Sequence, residues 1–262
     1  MGKVKVFLAD WQVLFREGIH FTLSGEDDIE VIGEATNNEE ALTFIETNPP
    51  NVAILNADHG KPTGIEVTRR IKQNLPSVSV ILVMDSYSDE QLFSVMKSGA
   101  SACLTKDIDP EDMVNAIREV AQGARLISEA LLRPRLAALA LDEFEAFAIL
   151  GEQLNNLLAR LSSGEAEILR RIADRNSIEQ VSLALGMSEQ AIRHQLDLIL
   201  CKLVANDHNR EVIEAAQSNL VLTIIRQGFR TRQPAKLALE YVTKDEFTAF
   251  KESVSQRLKL AS

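Results

Sequence analysis

Five side chains that could act together stand at the carboxyl ends of short apolar runs: Asp10 and Trp11, Asn56, Met84 and Lys106. Asp10 and Lys106 supply one carboxylate and one ammonium, enough to form an ion pair or to hold a charged group. Asn56 ends Val52-Ala53-Ile54-Leu55 with a carboxamide, which cannot serve as an acyl-phosphate nucleophile. Trp11 and Met84, with Tyr87, are aromatic and thioether groups of the kind that line binding surfaces. A second group lies further along, where helical spacing turns Gln190, Arg193, His194 and Asp197 away from the apolar line Ile192, Leu196, Ile199, Leu203. Arg193 can contact a phosphate or a guanine, and Gln190 and His194 can reach base edges or the backbone.

The elements that must position the first group are legible from periodicity. Apolar β-branched runs at Val4–Leu8, Ile29–Ala35, Val52–Leu55, Val78–Met84 and Ala102–Leu104 predict strands, and helical patterns near 13–24, 38–47, 64–74, 89–98 and 110–121 alternate with them. Five strand-helix units in this order imply a parallel sheet covered on both faces. In such sheets the functional crevice lies at the carboxyl ends of the strands, where the five residues fall.

Charge divides the chain. Of the 28 basic and 38 acidic side chains, residues 1–124 hold 10 and 20, whereas residues 221–262 hold 8 and 4. The acidic front half would repel a phosphate backbone, so nucleic acid contact is expected from the rear. The two cysteines, Cys103 and Cys201, have no paired metal-ligand spacing and are expected to be buried reduced thiols. No apolar run approaches the ~20 residues of a membrane span and the N-terminus has no signal-peptide core, so a cytoplasmic protein is expected.

Over residues 3–124 the chain resembles a two-component receiver domain. The resemblance is carried by Leu8-Ala9-Asp10-Trp11 with Arg16-Glu17-Gly18, by Asn56 with Gly64-Ile65-Glu66-Val67-Thr68-Arg69-Arg70, and by Gly99-Ala100 leading to Leu104-Thr105-Lys106-Asp107. Residues 161–219 resemble a LuxR-type helix-turn-helix, the output domain of the NarL/FixJ class. The matching positions there are Leu161 to Leu169, Ser177, Val181, Leu185, Met187, Ser188, Glu189, Ile192, Ile199, Lys202-Leu203, Val212 and Ala215. Ser162 or Ser163 with Glu165 or Glu167 gives a helix start, and Ser188 caps the next helix but one. Four helices are expected in this domain, with a recognition helix from Glu189 to Leu203.

The resemblance implies a magnesium site of two adjacent carboxylates, an acceptor aspartate, a hydroxyl and a lysine. Asp10 and Lys106 match; Trp11 stands for the second carboxylate, Asn56 for the acceptor and Met84 for the hydroxyl. The expectation is a degenerate receiver, with no metal, no cofactor and no enzymatic activity. Either Asp10 pairs with Lys106 or its neighbours while Trp11 and Met84 fill the former metal site, or Trp11, Met84 and Tyr87 line a pocket or an exposed patch that reads a small molecule or protein partner. Asp58 and Asp85 are expected to be loop residues, and His59 and His20 loop and helix-surface residues.

Residues 125–160 form a helical linker whose stripe, including Leu136, Leu139, Ala140, Phe144 and Phe147, either packs on the chain's own domains or dimerises. Residues 220–262 are a basic extension with Arg226, Arg230 and Arg232 interleaved with Phe229, and a capping-box spacing at Thr243-Lys244-Asp245-Glu246. Those arginines either follow phosphates beside the recognition helix or fold back on the acidic front half. With Gln190, Arg193, His194 and Lys202 they complete the expected double-stranded DNA surface. The reading is a phosphorylation-independent, homodimeric DNA-binding transcription regulator; the alternative is an adaptor that binds polymerase or another regulatory protein instead of DNA.

Overall fold

The computed structural model describes residues 2–150 and 158–228, with side chains described for 2–146 and 158–209. Residues 1–212 belong to one compact unit. Five strands, β1 (Val4–Ala9), β2 (Ile29–Ala35), β3 (Val52–Asn56), β4 (Ser79–Met84) and β5 (Ala102–Thr105), form a parallel sheet in the order β2-β1-β3-β4-β5. The connecting helices are α1 (Val13–Ser24), α2 (Asn38–Thr47), α3 (Gly64–Asn74), α4 (Asp89–Lys97) and α5 (Pro110–Ala121).

Alternation along the strands divides the core. Phe7, Ala53, Leu55, Val80, Leu82 and Met84 face one side, packed with residues of α2, α3 and α4, while Val6, Leu8, Ile54, Ile81 and Val83 face α1 and α5. Every residue of β3 and β4 is buried, which is why these strands read as continuous apolar runs. Helix starts are set locally: Thr63 with Glu66 and Ser88 with Gln91 form capping boxes, and Asp109 caps a helix with proline at its first turn.

Beyond α5 the linker expected at residues 125–160 is not one continuous helix. A 3-10 helix at Leu126–Leu132 is followed by extended Arg133 and then α6 (Pro134–Leu150). Pro134 forces the break, since it lacks an amide donor and restricts the residue before it. Leu136, Ala140 and Phe144 of the linker stripe are buried in the chain's own core; the Phe147 side chain lies outside the described residues.

The four helices expected in 161–219 are three among the described residues: α7 (Ser163–Ala173), α8 (Ile178–Leu185) and α9 (Glu189–Gly228). The expected turn after Leu203 does not form, because residues 189–227 contain neither glycine nor proline and offer no stop signal. Ser162 and Glu165 make the capping box of α7, Ser177 and Gln180 that of α8, and Gly186 ends α8 in the left-handed conformation. Ile168, Leu169, Ile172, Val181, Ile192, Leu196, Ile199 and Leu203 pack these helices into the same core that lies under α4 and α6.

Candidate functional site

The sheet brings Asp10, Asn56 and Lys106 together at the carboxyl ends of β1, β3 and β5. Asp10 is 5% exposed and Asn56 7%. Asn56 Nδ2 donates to Asp10 Oδ2 at 2.9 Å, Lys106 Nζ approaches the same oxygen at 3.1 Å, and the Gln12 amide donates to Asp10 Oδ1 at 2.7 Å. Both carboxylate oxygens are thereby engaged. The other end of the Asn56 carboxamide accepts from the main-chain N–H of Asp58 at 3.2 Å and of His59 at 2.9 Å. An asparagine can do both because its side chain carries donor and acceptor; an aspartate there would set a second negative charge against Asp10.

Two further residues support this cluster, Asn38, which no sequence pattern marks, and Arg16, which belongs to the first stretch of the family resemblance. Asn38, buried at the start of α2, donates to the carbonyls of Asn56 at 3.3 Å, His59 at 3.0 Å and Pro62 at 3.2 Å, tying down the loop after β3. Arg16 Nη1 donates to the Asp10 carbonyl at 2.8 Å, and its Nε meets Glu34 at 2.9 Å. The Asn38 bonds reach across 18 to 24 residues of chain and leave no local pattern, whereas the Arg16–Asp10 bond spans only six.

Trp11 and Met84 go to different places. Met84 is 1% exposed, its sulfur 3.8 Å from Cys103 Sγ, so it belongs to the core. Trp11 is 45% exposed and stacks on His59 with ring centroids 4.6 Å apart, with Lys106 Nζ 5.8 Å from the indole. The indole therefore roofs the cluster from outside and does not fill it. Tyr87 opens instead on a recess of about 250 Å³ beside Arg133 and Cys103; the shared pocket expected of Trp11, Met84 and Tyr87 is not formed. Burial pushes the Cys103 thiol up to about 12, which makes it unreactive. Asp58 and Asp85 sit on the rim: desolvation and then the Asp85 charge raise the Asp58 carboxyl, and Asp85 Oδ1 lies 3.6 Å from Lys106 Nζ.

On α9, Gln190 and His194 are exposed and Arg193 is half-buried, ion-paired with Glu129 of the 3-10 helix. Lys202 is turned inward: its Nζ meets Glu165 Oε1 at 2.7 Å and Oε2 at 2.6 Å. Burial acts to raise the Glu165 carboxyl, yet hydrogen bonds from Lys202 and Ser162 hold it below the ordinary glutamate value. Asn206, fully buried and unremarked in the sequence reading, bonds the main-chain N–H of Ala159 at 2.7 Å and its carbonyl at 2.9 Å. The Arg226 side chain, Arg230, Arg232 and the Thr243–Glu246 capping box lie outside the described residues.

Parallel sheet, strand-end cluster and appended helices define a class, and comparison with known proteins gives the same one: the chain belongs to the NarL/LuxR-type response regulators, with the response regulator receiver domain matched at residues 6–118. Among its relatives, the transcriptional regulatory protein DegU of Brevibacillus brevis is 30% identical over 227 residues, covering 84% of this chain and 96% of the relative. The response regulator protein VraR of Staphylococcus epidermidis is 27% identical over 218 residues, covering 83% and 99%. Among solved structures, a LuxR-family two-component response regulator from Aurantimonas sp. SI85-9A1 is 25% identical, covering 47% of this chain and 89% of that one, with a TM-score of 0.45. No helix among the described residues is long and apolar enough to cross a membrane.

Proposed function

We propose that this response regulator is a DNA-binding transcription regulator that works without phosphorylation, its receiver being a degenerate one that serves dimerisation or partner sensing. The observation that carries the reading is the hydrogen bond from Asn56 Nδ2 to Asp10 Oδ2. A receiver's magnesium ion needs several oxygen ligands around an acceptor carboxylate. Here the donor set does not fit the ion, because the single inner carboxylate is engaged by an amide, an ammonium and a main-chain N–H, and residue 56 has no carboxylate to phosphorylate. Exposure to acetyl phosphate with magnesium is expected to leave mass and oligomeric state unchanged, in the natural chain and in Asn56→Asp. An acid-labile phosphate adduct on the natural chain would refute the proposal.

Gln190, Arg193 and His194 on α9 support DNA as the target, with Ser177 and Gly186 framing a helix-turn-helix geometry at α8 and α9. A homodimer would double a thin half-site contact, and Val13, Leu14 and Phe21 expose an apolar face on α1 suited to a second copy. Arg226, Arg230 and Arg232 are assigned to neighbouring phosphates on charge alone. Lys202, held by Glu165, is the weakest member of the set. An adaptor reading is favoured by the same fact, since both described cations of the set, Arg193 and Lys202, are already in ion pairs.

A gel-shift assay on genomic fragments at low salt separates the two. Binding is expected, weakened about tenfold or more in Arg193→Ala and strengthened in Glu129→Gln, which frees Arg193. No retarded complex at any salt concentration would leave the adaptor.

A further inference from the structure

Away from the strand-end cluster, α3, the α4–β5 turn and α9 enclose a cavity of about 460 Å³, a volume typical of small-ligand sites. Arg69, Lys72, Lys97 and Arg125 line it from the receiver side, and Asp207 and His208 from α9. Arg69 Nε meets Asp207 at 3.0 Å; Lys97 Nζ meets Glu143 at 3.1 Å and Asp207 at 3.8 Å. Those two cations are therefore balanced. Lys72 and Arg125 have no carboxylate partner among the described residues. Lys72 Nζ donates to the Val78 carbonyl at 2.5 Å, and burial first, then the Arg125 charge, bring its pKa down to about 8.

Two positive charges with no carboxylate partner among the described residues, Lys72 in the wall and the exposed Arg125 at its rim, give one cavity the charge to hold a dianion. Arginine offers a planar fork and lysine a point charge, the combination that suits a phosphoryl group. Gly99 makes the site possible: it has φ +87°, and a Cβ there would come within 3.1 Å of Lys72 Cγ and 3.3 Å of Val204 Cγ1, where α9 crosses. We propose that this cavity binds a small phosphomonoester dianion, held by Lys72 and Arg125 against α9, so that the ligand couples the receiver fold to the helix that carries the DNA-facing residues. The phosphate here is a bound ligand and no bond to the protein is made, so the site is independent of the chemistry at residue 56.

Isothermal titration of the full chain with ribose 5-phosphate, adenosine 5′-monophosphate and inorganic phosphate tests it. One equivalent of at least one of the two esters should bind, with affinity reduced about tenfold or more in Arg125→Gln and in Lys72→Gln and unchanged in Arg70→Gln, whose exposed side chain is not in the cavity wall. Arg125 is at the surface, so its variant folds even if the half-buried Lys72 does not tolerate change. Binding of inorganic phosphate with equal affinity and the same dependence on Arg125 identifies free phosphate as the source and upholds the dianion site. No binding of any of the three overturns the proposal, as does binding indifferent to Arg125→Gln. Loss of duplex DNA binding in Arg125→Gln without small-phosphate binding by the natural chain overturns it in favour of a DNA backbone contact.

Discussion

Asp10→Ala is expected to destabilise the folded chain by about 3 kcal/mol or more. Lys106 would keep only Asp85, 3.6 Å away and largely exposed, and its side chain is just 10% exposed. The Asn56 amide would lose its acceptor as well, and a buried donor without a partner costs roughly 1–3 kcal/mol. Urea unfolding followed by circular dichroism measures the change. The sign is diagnostic. Where several carboxylates crowd one another to await a cation, removing one relieves repulsion and stabilises; here one carboxylate satisfies two donors and a cation. A gain in stability in Asp10→Ala would show that residue 10 is held against its electrostatic preference, and the closed-cluster account would fail.

Gly64→Ala is the second large effect. Gly64 opens α3 directly beneath the loop after β3, with its N–H on the Ala57 carbonyl at 2.9 Å. A Cβ would stand 2.2 Å from the Asn56 carbonyl oxygen and 2.9 Å from Ala57 Cα. Those are main-chain atoms of a strand end and cannot rotate aside. Displacing them costs about 3 kcal/mol or more and also moves Asn56 away from Asp10, so thermal unfolding should begin earlier and the Trp11 fluorescence should change. Gly18→Ala is the control: a Cβ there meets nothing within 4 Å in the middle of α1, and the variant should gain about 0.5–1 kcal/mol from helix propensity. Equal stabilities of the two variants would contradict the packing around Gly64.

What could be read from the sequence follows from how local each determinant is. The five strands and first five helices were legible because period-2 and period-3.6 patterns are short-range consequences of burial, and the caps at Ser162 and Ser188 follow from bonds three residues long; those at Thr63, Ser88 and Ser177 obey the same rule and were not picked out. That Asp10, Asn56 and Lys106 would lie on one rim of the sheet followed from their places at the carboxyl ends of the predicted parallel strands. The positions of Trp11 and Met84 did not, since whether a side chain at a strand end turns into the core or out over a loop depends on neighbours such as His59 and Cys103. The break before Pro134 was visible in principle, and the continuity of α9 even more so. The turn expected after Leu203 came from resemblance and had no glycine or proline behind it. Asn38, Asn206 and the Asp207–Arg69 pair join positions 18 to 138 residues apart, and no local pattern marks them.

The Arg193–Glu129 contact has one more consequence. Both side chains are partly exposed, 41% and 61%, so dissolved ions screen their attraction. Rising ionic strength then acts twice and in opposite directions, loosening the tether on Arg193 while blunting its pull toward a polyanion. For the proposed DNA contact the second effect wins, because an exposed pair holds at most about 1 kcal/mol while every phosphate contact weakens steadily as salt rises; Glu129→Gln should therefore change the affinity most at low ionic strength and leave it unchanged at high.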